Sequence, residues 1–212
     1  MTARRRAGGN LPLVHTVGAM GKNHSMRRLI MWNLITLDGY FEGPQPWDLD
    51  WHSEVWGEEL ERFSLEQLAT ADLLIFGRAT YQGMAAYWPT ASGEVAERMN
   101  GIAKIVYSRT LETAEWANTT LIGELDADGV QRIKEEGDGA ALVFGSGALS
   151  AALMEADLFD EYRILVAPVV LGAGTPLFGR GLPRRRLELL EAQPLESGAV
   201  ILRYAPAPAT GG

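Results

Sequence analysis

Short apolar runs alternate with stretches of helical spacing along this chain, and that alternation restricts the fold more than any other feature. The runs are residues 28–35 (RLIMWNLI), 73–76, 104–107, 141–144 and 162–168, each of strand length and each expected to be buried. A helix is expected over 54–69, with Ser53 as N-cap and Trp56, Leu60 and Phe63 on one face. Thr80 caps a short helix that ends before Pro89, and residues 92–99 form a third, closed by Asn100 and Gly101. Asp128 and Gln131 make a capping box for 129–136, which Gly137 ends, and 148–156 is an alanine-rich fifth helix. Repeated strand–helix–strand units with right-handed crossovers imply an α/β fold with a mostly parallel sheet and helices on both faces. Residues 187–193 and 199–204 alternate strongly and read as a C-terminal antiparallel hairpin around 195–198. Its second arm is expected at the sheet edge, where an apolar strand invites pairing with a second copy.

The chain has 212 residues, enough for one core without covalent staples, and its 47% hydrophobic and 22% charged composition is that of a globular domain. A net charge of −8 repels a polyphosphate backbone, so no nucleic-acid partner is expected. The absence of cysteine excludes disulfides, thiolate catalysis and iron–sulfur clusters. His15, His24 and His52 are the three histidines, too few beyond the N-terminal stretch for a multi-histidine metal site or a second imidazole, and no metal is expected. Residues 1–25 carry Arg4, Arg5, Arg6 and Lys22 with no acid and little periodicity, and read as a flexible basic arm or as the product of an upstream start codon. Met26 opens the domain, which is expected to run to residue 206, with 207–212 a frayed tail. No run approaches bilayer-spanning length, so no membrane partner and a cytoplasmic location are expected.

Ligands of parallel sheets bind beyond the carboxyl ends of the strands, which makes the residues after each run informative. Gly77-Arg78-Ala79-Thr80 puts a glycine, a cation and a hydroxyl where a helix begins, which suits a phosphate; a plain turn accounts for them too. Ser108-Arg109 pairs a hydroxyl with a guanidinium fork, the chemistry of phosphomonoester recognition, or else forms a solvated turn. Gly145-Ser146-Gly147 opens the alanine-rich helix with backbone able to approach a pyrophosphate. Three such coincidences at three strand ends are less economical than one nucleotide site. Asp38-Gly39 is either a tight turn or an acid near the chemistry. Trp47, Trp51, Trp56 and Trp88 form either core or an aromatic wall for a flat heterocycle, and Gly172 and Gly174 either a bulge or a loop that lets substrate approach. Residues 184–186, all arginine, read as a solvated turn.

Taken in order, the opening strand into Leu37-Asp38-Gly39-Tyr40, then LLIFGRATYQGM from Leu73, KIVYSRTL from Lys104, VFGSGALSAALMEADLFDEYRI from Val143, PVVLGAGTPLF from Pro168 and the closing LESGAVILRY resemble the dihydrofolate reductase-like fold. Within it the resemblance is to the reductase domain of the bifunctional riboflavin-biosynthesis deaminase-reductase and its stand-alone bacterial relatives. It covers Met26 to about Pro206. The resemblance implies a three-layer fold, a homodimer and NADPH as cofactor. Gly77, Arg78 and Thr80 would lie by the cofactor phosphates, Ser108 and Arg109 at the adenosine 2′-phosphate, and Gly145, Ser146 and Gly147 under the pyrophosphate. Dihydrofolate reductases carry a Pro-Trp pair followed by a lone acid that holds the pterin, and Pro46-Trp47-Asp48-Leu49-Asp50-Trp51 offers Asp50 for that role.

The expected activity is NADPH-dependent reduction of a small pyrimidine-like or pterin-like heterocycle, with 5-amino-6-(5-phosphoribosylamino)uracil first among substrates and dihydrofolate second. Asp38 or Asp50 would supply the proton, directly or through water, and Trp47, Trp51, Gly172 and Gly174 would meet the substrate. A non-catalytic nucleotide or pterin sensor is the alternative.

Overall fold

A computed structural model describes residues 26–179 and 181–208. The expected basic arm, 1–25, and residues 209–212 of the expected tail lie outside the described residues, whereas Ala207 still donates its N–H to the carbonyl of Arg186 at 3.0 Å. Ten strands run in chain order as β1 (Arg28–Thr36), β2 (Tyr40–Glu42), β3 (Ala71–Gly77), β4 (Ala103–Tyr107), β5 (Thr119–Ile122), β6 (Ala140–Phe144), β7 (Glu161–Ala167), β8 (Thr175–Pro176), β9 (Leu187–Pro194) and β10 (Val200–Pro206). The helices are α1 (Glu58–Thr70), α2 (Arg78–Tyr87), α3 (Glu94–Gly101), α4 (Ala127–Glu135) and α5 (Gly147–Glu155).

Eight strands form one sheet in the order β5-β4-β3-β6-β1-β7-β10-β9, parallel from β5 to β7 and antiparallel at β10 and β9. β2 and β8 pair separately. The run at β1 is apolar almost throughout because it lies between β6 and β7 with both faces covered. Alternation along it assigns the layers. Leu29 and Met31 join Val130 and Ile133 of α4 and Leu149 and Leu153 of α5, whereas Ile30 packs with Tyr81, Val95 and Met99 of α2 and α3, and Trp32 with Leu60 and Phe63 of α1. The chain is thus a three-layer α/β fold of the dihydrofolate reductase-like kind.

Several boundaries differ from those expected. Residues 54–57 are not helical with the rest: Asp50–Glu54 forms a 3-10 turn in which the Ser53 hydroxyl donates to the Asp50 carbonyl at 2.7 Å, and α1 starts after Gly57. Trp56 is left in the connection, 50% exposed. Gly93, not Ser92, precedes α3, and Thr80 lies inside the first turn of α2. Asp126, not Asp128, caps α4, accepting from the N–H of Gly129 at 2.6 Å; Asp128 stands in the first turn, where its charge still suits the helix dipole. Arg185 is no solvated turn residue, since its guanidinium donates to the carbonyls of Met154 and Glu155 at the end of α5. Within the hairpin the edge strand is β9; β10, expected at the edge, lies between β7 and β9. The four-residue β5 and the β2–β8 pair are too short to show a period in the sequence.

Candidate active site

The parallel strands bring the carboxyl ends of β1, β3 and β6 to one side, where a cleft of about 360 Å³ opens. At its base α2 and α5 begin side by side, each presenting N–H groups that no helical carbonyl can reach. The turn into α5 is left-handed at two successive residues, Gly145 (φ 50°) and Ser146 (φ 56°). Three hydrogen bonds hold that conformation, unusual for serine: Gly145 N–H to Asn33 Oδ1 at 2.6 Å, Ser146 N–H to Thr80 Oγ1 at 2.9 Å, and Gly77 N–H to Ser146 Oγ at 2.9 Å. The oxygens of Thr80 and Ser146 accept these bonds, so both O–H groups keep their protons for a ligand. A Cβ on Gly145 would stand 3.2 Å from Thr80 Oγ1, and one on Gly147 would stand 3.3 Å from Phe41 Cε1. Tight backbone, two helix N-termini and two hydroxyl donors together make a cradle for an anionic diphosphate.

Gly77, Arg78, Thr80, Gly145, Ser146 and Gly147 all line this cleft. Arg78 reaches across to the loop after β4, donating to Thr110 Oγ1 at 2.9 Å. Ser108 Oγ accepts from the N–H groups of Thr110 and Leu111, which turns that loop beside Arg78 and leaves Arg109 exposed at its tip. Ser108 and Arg109 therefore stand next to the cleft without lining it.

The other half of the cleft is walled by Trp32, Trp47, Trp56 and Trp88. Trp51 is not part of that wall; it is buried with Val55 and Leu60, because the 3-10 turn directs it into the core. His52 does line the cleft, and burial pushes its imidazole down to about 4, so the ring is neutral at pH 7. Among the polar side chains that line it, His52 Nε2, Asn33 Nδ2 and Gln67 Oε1 are buried without a hydrogen-bond partner. An unpaired buried polar atom costs about 1–3 kcal/mol, which marks all three as positions awaiting a partner. An asparagine inside the apolar run RLIMWNLI was the signal in the sequence for Asn33; nothing marked Gln67.

Neither expected acid lines the cleft. The Asp38 carboxylate accepts from Thr36 Oγ1 at 2.6 Å, Gly172 N–H at 2.7 Å and Leu171 N–H at 3.3 Å. These bonds, the Thr36 hydroxyl foremost, hold it below the usual carboxylate range, so it fastens the 171–172 loop to the end of β1 as an ionised group. Asp50 is exposed at the start of the 3-10 turn. Gly172 and Gly174 do not line the cleft either; Gly174 packs against the Glu42 carbonyl, where a side chain would not fit, and so supports β2. No group of three or more His, Cys, Asp or Glu among the described residues is placed to hold a metal, and no described helix is long and apolar enough to cross a membrane.

Known proteins are similar to this chain. A Bacillus subtilis protein, YyaP, described as uncharacterized, is 26% identical over 190 residues, covering 87% of this chain and 98% of its own. A structure from Shewanella sp. PV-4, provisionally described as a riboflavin biosynthesis protein, superposes with a TM-score of 0.69 at 20% identity, over 85% of this chain and 99% of that one. Dihydrofolate reductase from Enterococcus faecalis, solved with NADP(H), superposes with a TM-score of 0.57 at 14% identity, over 86% and 98% of the two chains, a likeness of fold. Residues 27–201 match the RibD C-terminal domain, and with most of its length inside that match the chain belongs to the RibD C-terminal domain family.

Proposed function

We propose that this protein is an NADPH-dependent reductase of a small pyrimidine-like or pterin-like heterocycle. The observation that carries the reading is the convergence of the α2 and α5 N-termini and the left-handed Gly145–Ser146 turn on a cleft whose other half is tryptophan-lined. Arg78, the hydroxyls of Thr80 and Ser146 and the tight Gly145–Gly147 turn would hold the diphosphate, and Ser108 and Arg109 the adenosine 2′-phosphate. When bound, the nicotinamide supplies a hydride to an imine-type or carbonyl carbon of the heterocycle. The protein contributes orientation and dry walls: Trp32, Trp47 and Trp88 exclude water around the ring. The accompanying proton would come through water held by Asp38, which fastens the 171–172 loop, or by Asp50, both of which stand outside the cleft lining.

The phosphoribosylaminouracil and dihydrofolate remain the two named candidates for substrate. Binding of NADPH in preference to NADH, followed by substrate-dependent loss of NADPH absorbance, tests the reading; equal affinity for both cofactors, or none for either, overturns it. That neither aspartate lines the cleft favours one other reading, a non-catalytic nucleotide or pterin sensor, for which NADPH and heterocycle bind with no turnover. A homodimer is proposed with either, now through β9, whose Leu189 and Leu190 are exposed on the edge.

A further inference from the structure

We infer that Tyr81 and Lys104, neither of which lines the cleft, are positioning residues for cofactor choice: they hold the loop between β4 and β5 in the shape that offers Ser108 and Arg109 to the adenosine 2′-phosphate. The inference rests on the reading above for what that loop meets, and adds the buried residues on which its selectivity depends.

Lys104 is a cation in an apolar strand, 1% exposed, and the groups that hold its ammonium are carbonyls and a ring, with no carboxylate among them. The ammonium donates to the carbonyls of Ile102 at 2.7 Å, Asn100 at 3.1 Å and Ala117 at 3.3 Å, and stands 4.4 Å from the centre of the Trp116 ring. Burial holds it down at about 8, so it is mostly charged at pH 7. A buried charge is costly unless polar groups replace its water, and carbonyls at the end of a helix beside an aromatic face do so. Asn100 and Ile102 belong to the end of α3, and Ala117 to the far end of the 108–118 loop, so the charge ties one to the other.

Trp116 is held from three elements. Its ring faces Lys104 of β4, its Nε1 donates to Asn100 Oδ1 of α3 at 2.7 Å, and its backbone N–H donates to the Tyr81 hydroxyl oxygen of α2 at 3.1 Å. Leu111 and Ala114 of the same loop pack against the core cluster that contains Tyr81 and Trp116. Tyr81 lies three residues along α2 from Arg78, so both point to one side of that helix, and Arg78 donates to Thr110 at the near end of the loop. One helix therefore grips the loop at both ends, with Arg109 exposed at its tip. A loop ordered in advance spares the cost of ordering it on binding. That saving reaches only a ligand that Arg109 touches, so loosening the loop penalises a nucleotide with a 2′-phosphate and spares one without.

The test titrates the full chain with adenosine 2′,5′-bisphosphate and adenosine 5′-phosphate, which differ in the 2′-phosphate and carry no nicotinamide. The parent is expected to prefer the bisphosphate by about ten-fold or more. Tyr81→Phe keeps the ring and loses the oxygen that accepts from Trp116; Lys104→Met keeps the stem and loses the charge. Each is expected to lower the preference by about five-fold, with affinity for the 5′-phosphate held within about two-fold. Arg109→Ala removes the contact itself, so adding either variant to it lowers the preference by less than about two-fold further. A residue that only stabilised the fold would act on both nucleotides alike. Tyr81→Phe removes a single oxygen and decides the matter where Lys104→Met does not fold. A preference unchanged in Tyr81→Phe or in folded Lys104→Met, or losses that simply add to that of Arg109→Ala, overturns the inference and leaves the cofactor reading standing. A parent that binds the two nucleotides equally overturns the cofactor reading.

Discussion

The indole of Trp47 occupies the space where a Cβ on Gly83 would stand, so the loop after β2 closes directly onto the middle of α2. Trp47 holds a left-handed backbone (φ 63°) and donates its N–H to the Glu42 carboxylate, while Gly43 N–H bonds the Asp48 carbonyl at 2.9 Å to close the loop. The side chain is 40% exposed and walls the cleft, so its seat on Gly83 decides the shape of the ring-binding half.

Gly83→Ala is therefore expected to separate helix propensity from site geometry. Alanine favours the helix by about 1 kcal/mol, and the exposed indole can move outward, so the thermal midpoint holds or rises. Binding of lumazine, a flat pteridinedione that probes the tryptophan-lined half, nevertheless weakens by about ten-fold, the worth of one aromatic contact, while NADPH affinity stays within about two-fold. Calorimetric titration of both ligands checks this; unchanged lumazine affinity would show that Trp47 is not part of the wall.

Removing Arg109 should act on the 2′-phosphate alone. Arg109→Ala is expected to weaken NADPH by about ten-fold and leave NADH unaffected, since a charge-assisted hydrogen bond is worth about 1.5–3 kcal/mol. Arg78→Ala, which also loses the link to Thr110, weakens both cofactors. Competition titrations with the two nucleotides distinguish the cases.

Acid should destabilise the fold partly through His52. Its folded value of about 4 lies below the ordinary 6.5 because burial disfavours the charged ring. The unfolded chain binds the proton first, so stability falls as pH drops from 6.5 to 4, by about 3 kcal/mol in all. His52→Phe should flatten the slope of stability against pH in that window, as measured by urea unfolding.

Glu161 governs a lower window. It is wholly buried, and burial opposes its ionisation, but hydrogen bonds from Arg163 and Arg203 outweigh that and hold it at about 2. Its contribution is present above 4.5 and is lost as pH falls towards 2. Glu161→Gln removes the shared partner of Arg28, Arg163 and Arg203 and is expected to cost about 3–5 kcal/mol at neutral pH, readable as a fall in the urea midpoint.

The alternation of strands and helices, the hairpin and the three strand ends that carry glycine, hydroxyl and arginine are legible in the sequence. These are local quantities: the apolar run at β1 and the Gly145-Ser146-Gly147 turn announce themselves within a few residues. Which of four similar tryptophans line the cleft is set by packing, because Trp51 and Trp47 sit four residues apart and a 3-10 turn sends one inward while a left-handed residue lays the other on α2. The same packing joins the Asp38 carboxylate to backbone more than 130 residues away, pairs Asn33 with Gly145 and brings Gln67 to the same cleft. Spacing along a chain cannot report such contacts, since they arise from strand order in the sheet, and that order is fixed by packing of the whole core rather than by any one segment.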